Sequence, residues 1–232
     1  PQDAPAAYED WKRERMSFYD RLGVNRAKLR WQQHDKMVFY AKDAWDIQYE
    51  FPFGWNELEG IHYRGDYDLT QHQKFSGVDM SVFDEKTGQR FIPHVVETSV
   101  GLDRTILMLL ADAYDEDEMN GEKRVVLRFA PQIAPVKAAV FPLLRNKPAL
   151  IDKAREVYRN LKQKSTGLIM FDDNGNIGKR YRRQDEIGTP HCVTIDFQTL
   201  DDDTVTVRDR DTGKQERVSS GELIARLASV DN

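Results

Sequence analysis

A stretch that reads as a β-strand, FIPHVVETSV at 91–100, runs without a linker into GLDRTILMLLADAY at 101–114, which reads as a helix. A junction of this kind fixes which side chains stand at the rim of a sheet. Strand alternation puts Glu97 and Ser99 on one face. Gly101 permits a tight strand-to-helix turn and close backbone approach. Arg104 falls in the first helical turn, where the helix dipole already favours anions, so a cation there is well placed to join the dipole in holding a phosphate. Glu97 suits a cationic amine. The plainer alternative is that Arg104 pairs with Asp103 or Glu97. The apolar residues Ile106, Leu107, Leu109, Leu110 and Tyr114 predict a largely buried helix.

The rest of the chain divides around that junction. The acidic run DAYDEDEMNGEK (112–123) contains Asn-Gly and separates two apolar patterns, which predicts a domain boundary after Gly121. Before it, residues 8–22 read as an amphipathic helix with Trp11, Phe18 and Leu22 on one face and Gly23 as its stop. Asp43 to Tyr67 reads as strands around the turn-like FPFGWN, and 68–76 as a helix. After the boundary, strands (138–144, 167–172) alternate with helices (147–164, 176–187). A strand pair (191–197, 204–210) and a closing helix (220–230) follow. That alternation predicts an α/β layer with a partly parallel sheet.

Charge differs between the two parts. Residues 1–121 hold 14 basic and 23 acidic side chains, a balance of −9, whereas 122–232 hold 20 and 16, a balance of +4. The second part is therefore the better candidate for a polyanion such as nucleic acid. Ordinary charge scatter between two domains is the alternative. Hydrophobic residues make up 40% of the 232, enough for a sizeable core, and no apolar run is long enough to span a bilayer. The single cysteine, Cys192, excludes an internal disulfide and a cysteine-based zinc cage, which fits a reducing, cytoplasmic compartment.

Two further clusters carry chemistry. In FGWNELEG (53–60), a strand over 55–60 would place Glu57 and Glu59 on one face, suiting an amine or a divalent cation, or simply a solvated sheet edge. Lys179, Arg180, Tyr181, Arg182 and Arg183 on a short helix could grip phosphates and stack a base, or form a solvated basic face. Other readings fail. GNIGKR (175–180) lacks P-loop glycine spacing and the Ser/Thr, and DDNGN (172–176) lacks the EF-hand glycine. His191 and Cys192 point to opposite faces of a strand. His34, His62, His72 and His94 lack close ligand spacing, so no metal site is expected.

Taken together these residues resemble the homodimeric, class II glycyl-tRNA synthetases. FPFGWNELEGIHYRGDYDLTQHQKFSG (51–77) looks like the segment before the third class motif. HVVETSVGLDRT (94–105) looks like that motif itself, glycyl-specific in its Glu-x-Ser portion. APQIAPVKAAVFPLL (130–144) is similar to the start of the anticodon-binding domain, and GKRYRRQDEIGTPHCVTIDF (178–197) with DDTVTVRDRDT (202–212) to its later half. The first two class motifs are absent and residue 1 is Pro. The expectation is the C-terminal part of a longer protein, inactive by itself.

The resemblance implies an α/β (α+β) chain. Residues 1–121 would be the remnant of a class II antiparallel sheet with helices, and 122–232 an α/β anticodon-binding domain with a mixed five-stranded sheet. It implies a ligase that joins glycine to ATP as glycyl-adenylate and passes glycine to tRNA-Gly, working as a cytoplasmic homodimer away from membranes. By motif, Glu97, Thr98, Ser99, Val100 and Gly101, with Glu59 and Arg64, would bind glycine. Glu57, Leu58, Gly101, Leu102, Asp103 and Arg104 would bind ATP with Mg2+, Arg104 and Glu97 being catalytic. Lys179, Arg180, Arg182 and Arg183 would bind tRNA. The competing readings are a synthetase-like nucleic-acid-binding module without catalysis and an unrelated α/β metabolic enzyme.

Overall fold

The computed structural model describes residues 1–119 and 121–230. The chain divides into two units, Pro1–Ala111 and Asp112–Asn232.

In the first unit, helix α1 (Ala4–Arg21) begins with a proline in its first turn, where a missing N–H removes no helical hydrogen bond. Its buried stripe is Tyr8, Met16 and Tyr19. The expected stripe is thus rotated. Trp11 is 47% exposed, while Phe18 and Leu22 only flank the core. The helix carries two aromatic stripes, and the sheet selects the one beside Arg15, whose guanidinium has a buried partner in Glu59. A 3-10 turn (Arg26–Lys28) follows, then β1 (Leu29–Gln33), β2 (Asp43–Phe51), β3 (Gly54–Gly65) and α2 (Tyr67–Ser76). A small hairpin of β4 (Val82–Asp84) and β5 (Gln89–Phe91) precedes β6 (Val95–Val100) and α3 (Leu102–Ala113).

The main sheet runs β1-β2-β3-β6 and is antiparallel throughout. One face carries the core, in which Ile47, Tyr49, Phe51, Leu58 and Ile61 pack with Tyr8, Met16 and Tyr19 of α1 and Met108 of α3. The prediction of a largely buried α3 is corrected here. Ile106, Leu107 and Leu110 are exposed, and Leu109 is only partly buried. The helix is apolar on more than one side, and the sheet covers only the side bearing Met108. Tyr114, expected on this helix, is the first residue of the next strand and is exposed.

The second unit opens with an antiparallel hairpin of β7 (Tyr114–Met119) and β8 (Glu122–Leu127). The boundary expected after Gly121 falls in this hairpin's turn, because the acidic run is a strand. Its alternation turns Asp115 and Asp117 toward arginines and leaves Glu116 and Glu118 exposed. There follow β9 (Val136–Pro142), α4 (Pro148–Lys164), β10 (Leu168–Phe171), α5 (Ile177–Ile187), β11 (His191–Ile195), α6 (Phe197–Asp202), β12 (Thr204–Asp209), β13 (Gln215–Ser219) and α7 (Ser220–Val230).

Their sheet has the order β10-β9-β11-β12-β13, parallel across β10, β9 and β11 and antiparallel from β11 to β13. This is the expected mixed five-stranded sheet. Helix α4 buries Leu150, Ala154, Val157 and Leu161 at helical spacing, the last three in one core with Val140, Val193 and Val205. Ala139, Phe141 and Cys192 form a second cluster, with Ile177 and Tyr181 of α5 packed against it. Burial pushes the Cys192 thiol up, so it stays protonated and inert. Among the described residues no helix is long and apolar enough to cross a membrane.

Candidate functional site

In the first unit the face of the sheet opposite α1 collects the polar residues. The register pairs His62 with Glu97 and Gly60 with Ser99, so Glu97 and Ser99 share that face as strand alternation predicts. Ile61 pairs with Thr98, and Glu59 with Val100, on the other face. Thr98 and Val100 can therefore offer a ligand on the polar face their backbone groups but not their side chains.

Glu57 and Glu59 do not share a face. The register slips between Ile47 and Gln48, so that Ile47 faces Glu59 and Gln48 faces Glu57, with Leu58 the extra residue. Such a bulge turns two successive residues the same way. Leu58 enters the core at 2% exposure and Glu59 lies beside it at 0%. Glu59 accepts from Arg15 Nε at 2.5 Å and Nη2 at 3.0 Å, and from Tyr19 Oη at 2.6 Å. Burial, and then the Glu59 hydrogen bond, push the Tyr19 phenol up. The expectation that Glu59 contacts glycine is corrected, because its carboxylate is satisfied beneath α1. The expected Leu58 contact to ATP is limited to its backbone. Glu57 remains exposed on the polar face.

Arg64 comes from the end of β3. Its Nε lies 2.5 Å from Glu97 Oε2, and its Nη1 donates to Asp68 Oδ2 at 3.1 Å. Burial opposes the charge on Arg64, but Asp68 and Glu97 outweigh it and hold its pKa above the ordinary value. The Arg64–Glu97 contact is an ion pair off the hydrogen-bond axis, which leaves Glu97 Oε2 and Arg64 Nε buried without hydrogen-bond partners; His62 Nε2 is likewise buried without one.

Arg104 donates from Nη1 to the backbone oxygen of Glu57 at 2.8 Å. It therefore reaches across to β3 and pairs with neither Asp103 nor Glu97. A cleft of about 390 Å³ is lined by Glu57, Leu58, Ser99, Gly101, Leu102, Asp103 and Arg104. The backbone of Gly101 is not left-handed. A Cβ there would meet Arg104 Cβ at an ordinary 3.9 Å, so the turn itself does not demand glycine. The cleft thus offers a cation at a helix start, with carboxylates beside it.

The structure also joins residues that sequence spacing kept apart. His34 Nε2 lies 2.8 Å from Asp46 Oδ1, and the candidate ligand atoms of His34, Asp46 and His62 lie within 4.8 Å of one another. The grouping arises from strand register, which short-range spacing does not report.

In the second unit the basic helix α5 is largely committed to the fold. Arg180 is 1% exposed. Its guanidinium donates to the backbone oxygens of Pro142, Asp173, Asn174 and Gly175 at 2.5 to 3.3 Å. Its assignment to tRNA is corrected, since it closes the loop before α5 from inside. Tyr181 packs on Phe141 and shares a 2.7 Å hydrogen bond with Thr194, so it is not free to stack a base. Arg183 pairs with Asp172, and Arg182 with the exposed Glu122. Lys179 and Arg182 remain exposed on the helix.

Beneath them, Asp185 receives Arg124 Nη1 at 2.9 Å and both terminal nitrogens of Arg208 at 2.8 and 2.9 Å. Bonds to Asp117 and Asp185 hold the Arg124 pKa above its ordinary value against burial. Gly188 caps α5 at φ 81°, where a Cβ would come within 2.5 Å of Phe129 and 2.9 Å of the Leu127 oxygen. Glycine is required there on both counts.

Comparison with known proteins adds to this geometry. Residues 137–229 match the family described as anticodon binding domain. Over 224 residues the chain is 52% identical to a glycine–tRNA ligase of Chlorobaculum tepidum, covering 96% of this chain and 47% of the relative. It is 47% identical to that of Treponema denticola, covering 95% and 50%. It is 50% identical to that of Thermobifida fusca, covering 97% and 51%. The chain spans about half the length of the curated relatives it matches.

Proposed function

We propose that the chain is part of a glycine–tRNA ligase, about half the length of the relatives it matches, and that it carries part of the glycine- and ATP-binding machinery together with the domain that reads tRNA-Gly. The observation that carries the reading is the polar sheet face. Glu97 and Ser99 stand side by side there, Arg64 steadies Glu97, and Arg104 is fixed at 2.8 Å on the Glu57 backbone.

Glu97, whose side chain is 35% exposed while its Oε2 faces Arg64, takes the glycine ammonium on its carboxylate, and Ser99 adds a hydroxyl. Arg64 is a positioning residue that holds the carboxylate in place. Glycine has no side chain to grip, so selection works by exclusion, which sterics achieve more readily than rejection of a smaller substrate. Arg104 binds ATP phosphates at the start of α3, where the helix dipole adds to its charge. The exposed carboxylates of Glu57 and Asp103 are the hard oxygen donors that Mg2+ accepts beside substrate phosphates. Magnesium supplies neutralisation of phosphate charge. A glycine carboxylate oxygen attacks the α-phosphorus and pyrophosphate leaves. The 3′-terminal ribose hydroxyl of the tRNA then attacks the adenylate carbonyl and AMP leaves. The residues contribute position and charge rather than a dedicated base.

The exposed cations Lys179 and Arg182, with Arg183, contact tRNA phosphates within the anticodon-binding domain. The working protein is a cytoplasmic homodimer. The division into a catalytic part over 1–121 and an anticodon-binding part over 122–232 is kept as the functional division, with the β7–β8 hairpin spanning it.

The test is ATP–pyrophosphate exchange in the full-length protein. Arg104→Ala is expected to lower glycine-dependent exchange by about a hundredfold. Exchange at the parent level would overturn the assignment.

A further inference from the structure

We propose that His34, Asp46 and His62 form a binding site for a divalent transition-metal ion, with Zn2+ the ion whose chemistry they fit. The proposal does not depend on the ligase reading.

Three observations point the same way. The first is the donor set. Two imidazoles and one carboxylate come from the end of β1, from β2 and from β3, with their ligand atoms within 4.8 Å of one another. A tetrahedral zinc with bonds of about 2.0–2.1 Å needs ligand atoms roughly 3.3 Å apart. The His34 Nε2–Asp46 Oδ1 pair stands at 2.8 Å, so an ion would replace that hydrogen bond and open the pair by roughly 0.5 Å while the His62 ring closes in.

The second is an unsatisfied atom. Hydrogen bonding between His34 and Asp46 accounts for those two residues, but His62 Nε2 is buried with no partner. An ion between the three gives that lone pair a ligand bond. The other nitrogen, His62 Nδ1, lies 3.9 Å from Glu97 Oε2. A carboxylate on that side favours the tautomer with the proton on Nδ1, which frees Nε2 for a metal.

The third is the space beneath the ligands. Gly60 pairs directly with Asp46 across the sheet. A Cβ on Gly60 would lie 3.2 Å from His62 Nε2 and 3.5 Å from Asp46 Oδ1. Ala44 pairs with His62 across the strands, and the His34 and His62 rings lie edge to face with centroids 5.4 Å apart. The backbone amide of His34 donates to the Ala44 oxygen at 3.1 Å, so its position is set by the sheet rather than by a loop. Three protein ligands leave one position for water, the pattern of an open zinc site.

The test is a Co2+ titration of the chelator-treated protein, followed by visible d–d absorption, with Zn2+ as competitor. The expected result is saturation at one equivalent per chain and displacement by Zn2+. His34→Gln and His62→Gln should each weaken binding at least about tenfold. Gly60→Ala should do the same with all three ligands present. His72→Gln, on the exposed side of α2, should leave the titration unchanged. Far-UV circular dichroism of the metal-free variants monitors folding. The His34 side chain is 32% exposed at a strand end, so His34→Gln reads the site even if a change at His62 disturbs the sheet. Absence of saturable absorption in the parent protein overturns the proposal, as does binding that survives in the His34→Gln/His62→Gln double variant.

Discussion

Asp185 and Glu97 are both carboxylates facing arginine, one in each unit, and they differ in how fully they are used. The Asp185 side chain is 4% exposed and both its oxygens accept from buried guanidinium groups. The Glu97 side chain is 35% exposed, faces Arg64 off the hydrogen-bond axis, and keeps an oxygen unsatisfied. The contrast teaches what separates a charge that holds a fold from one that can hold a ligand. A satisfied, desolvated pair has nothing left to offer, and removing one partner strands the other. A partly exposed pair at a rim tolerates change and keeps part of its carboxylate within reach of an incoming donor.

The largest expected effect tests the closed side. Asp185→Ala leaves Arg124 and Arg208 buried without their shared partner and should cost about 3–5 kcal/mol in urea denaturation. A loss within the ordinary surface range would mean that the network relaxes or admits water. Glu59→Gln comes next. It keeps an acceptor for Tyr19 but removes the charge facing Arg15, and about 1–3 kcal/mol should be lost in the same measurement. If Glu59→Gln instead lowered glycine affinity at unchanged stability, Glu59 would have to be moved to the open class.

Glu97→Gln should behave in the opposite way. Stability should change by no more than about 0.5 kcal/mol. The glycine KM in exchange assays of the full-length protein should rise roughly tenfold or more, as for loss of a hydrogen bond to a charged group. The smallest effect belongs to Arg182→Ala. Its pair with the exposed Glu122 is worth at most about 1 kcal/mol. Plots of tRNA affinity against salt should lose about one unit of slope for one lost phosphate contact. An unchanged slope would assign Arg182 to the solvated surface.

The helices and strands were legible because their signals are short-range. The α4 stripe repeats every three to four residues, and four strands of the five-stranded sheet were indicated by apolar or alternating runs; β13 (Gln215–Ser219), with only Val218 buried, carries no such run and was not. At the candidate site the Glu97–Ser99 pairing was legible for the same reason. Where reasoning from the sequence went astray, a partner distant in the chain decided the outcome. Trp11 lost to Tyr8 and Tyr19 on α1 because Glu59, 40 residues from Tyr19, waits beneath that stripe. The acidic run looked like a connection for a more local reason: it is a hairpin strand whose charges are met by Arg124 in the next strand and by Arg128 just beyond it.

Local sequence was enough to show the α4 and α5 helices with the strands beside them, the strand-to-helix junction that brings Arg104 to the sheet, and the common face of Glu97 and Ser99; the short strands β1, β4, β5 and β13 and the acidic hairpin were not visible in it. What was visible follows from the periods of strand and helix, which neighbouring residues suffice to set. Only the tertiary structure decided that Glu57 and Glu59 part at a bulge, that Arg180 turns inward, and that His34, Asp46 and His62 converge. Each of those outcomes depends on register and desolvation against residues elsewhere in the chain. A charged side chain's environment is fixed by what covers it, and its immediate sequence neighbours do not specify that.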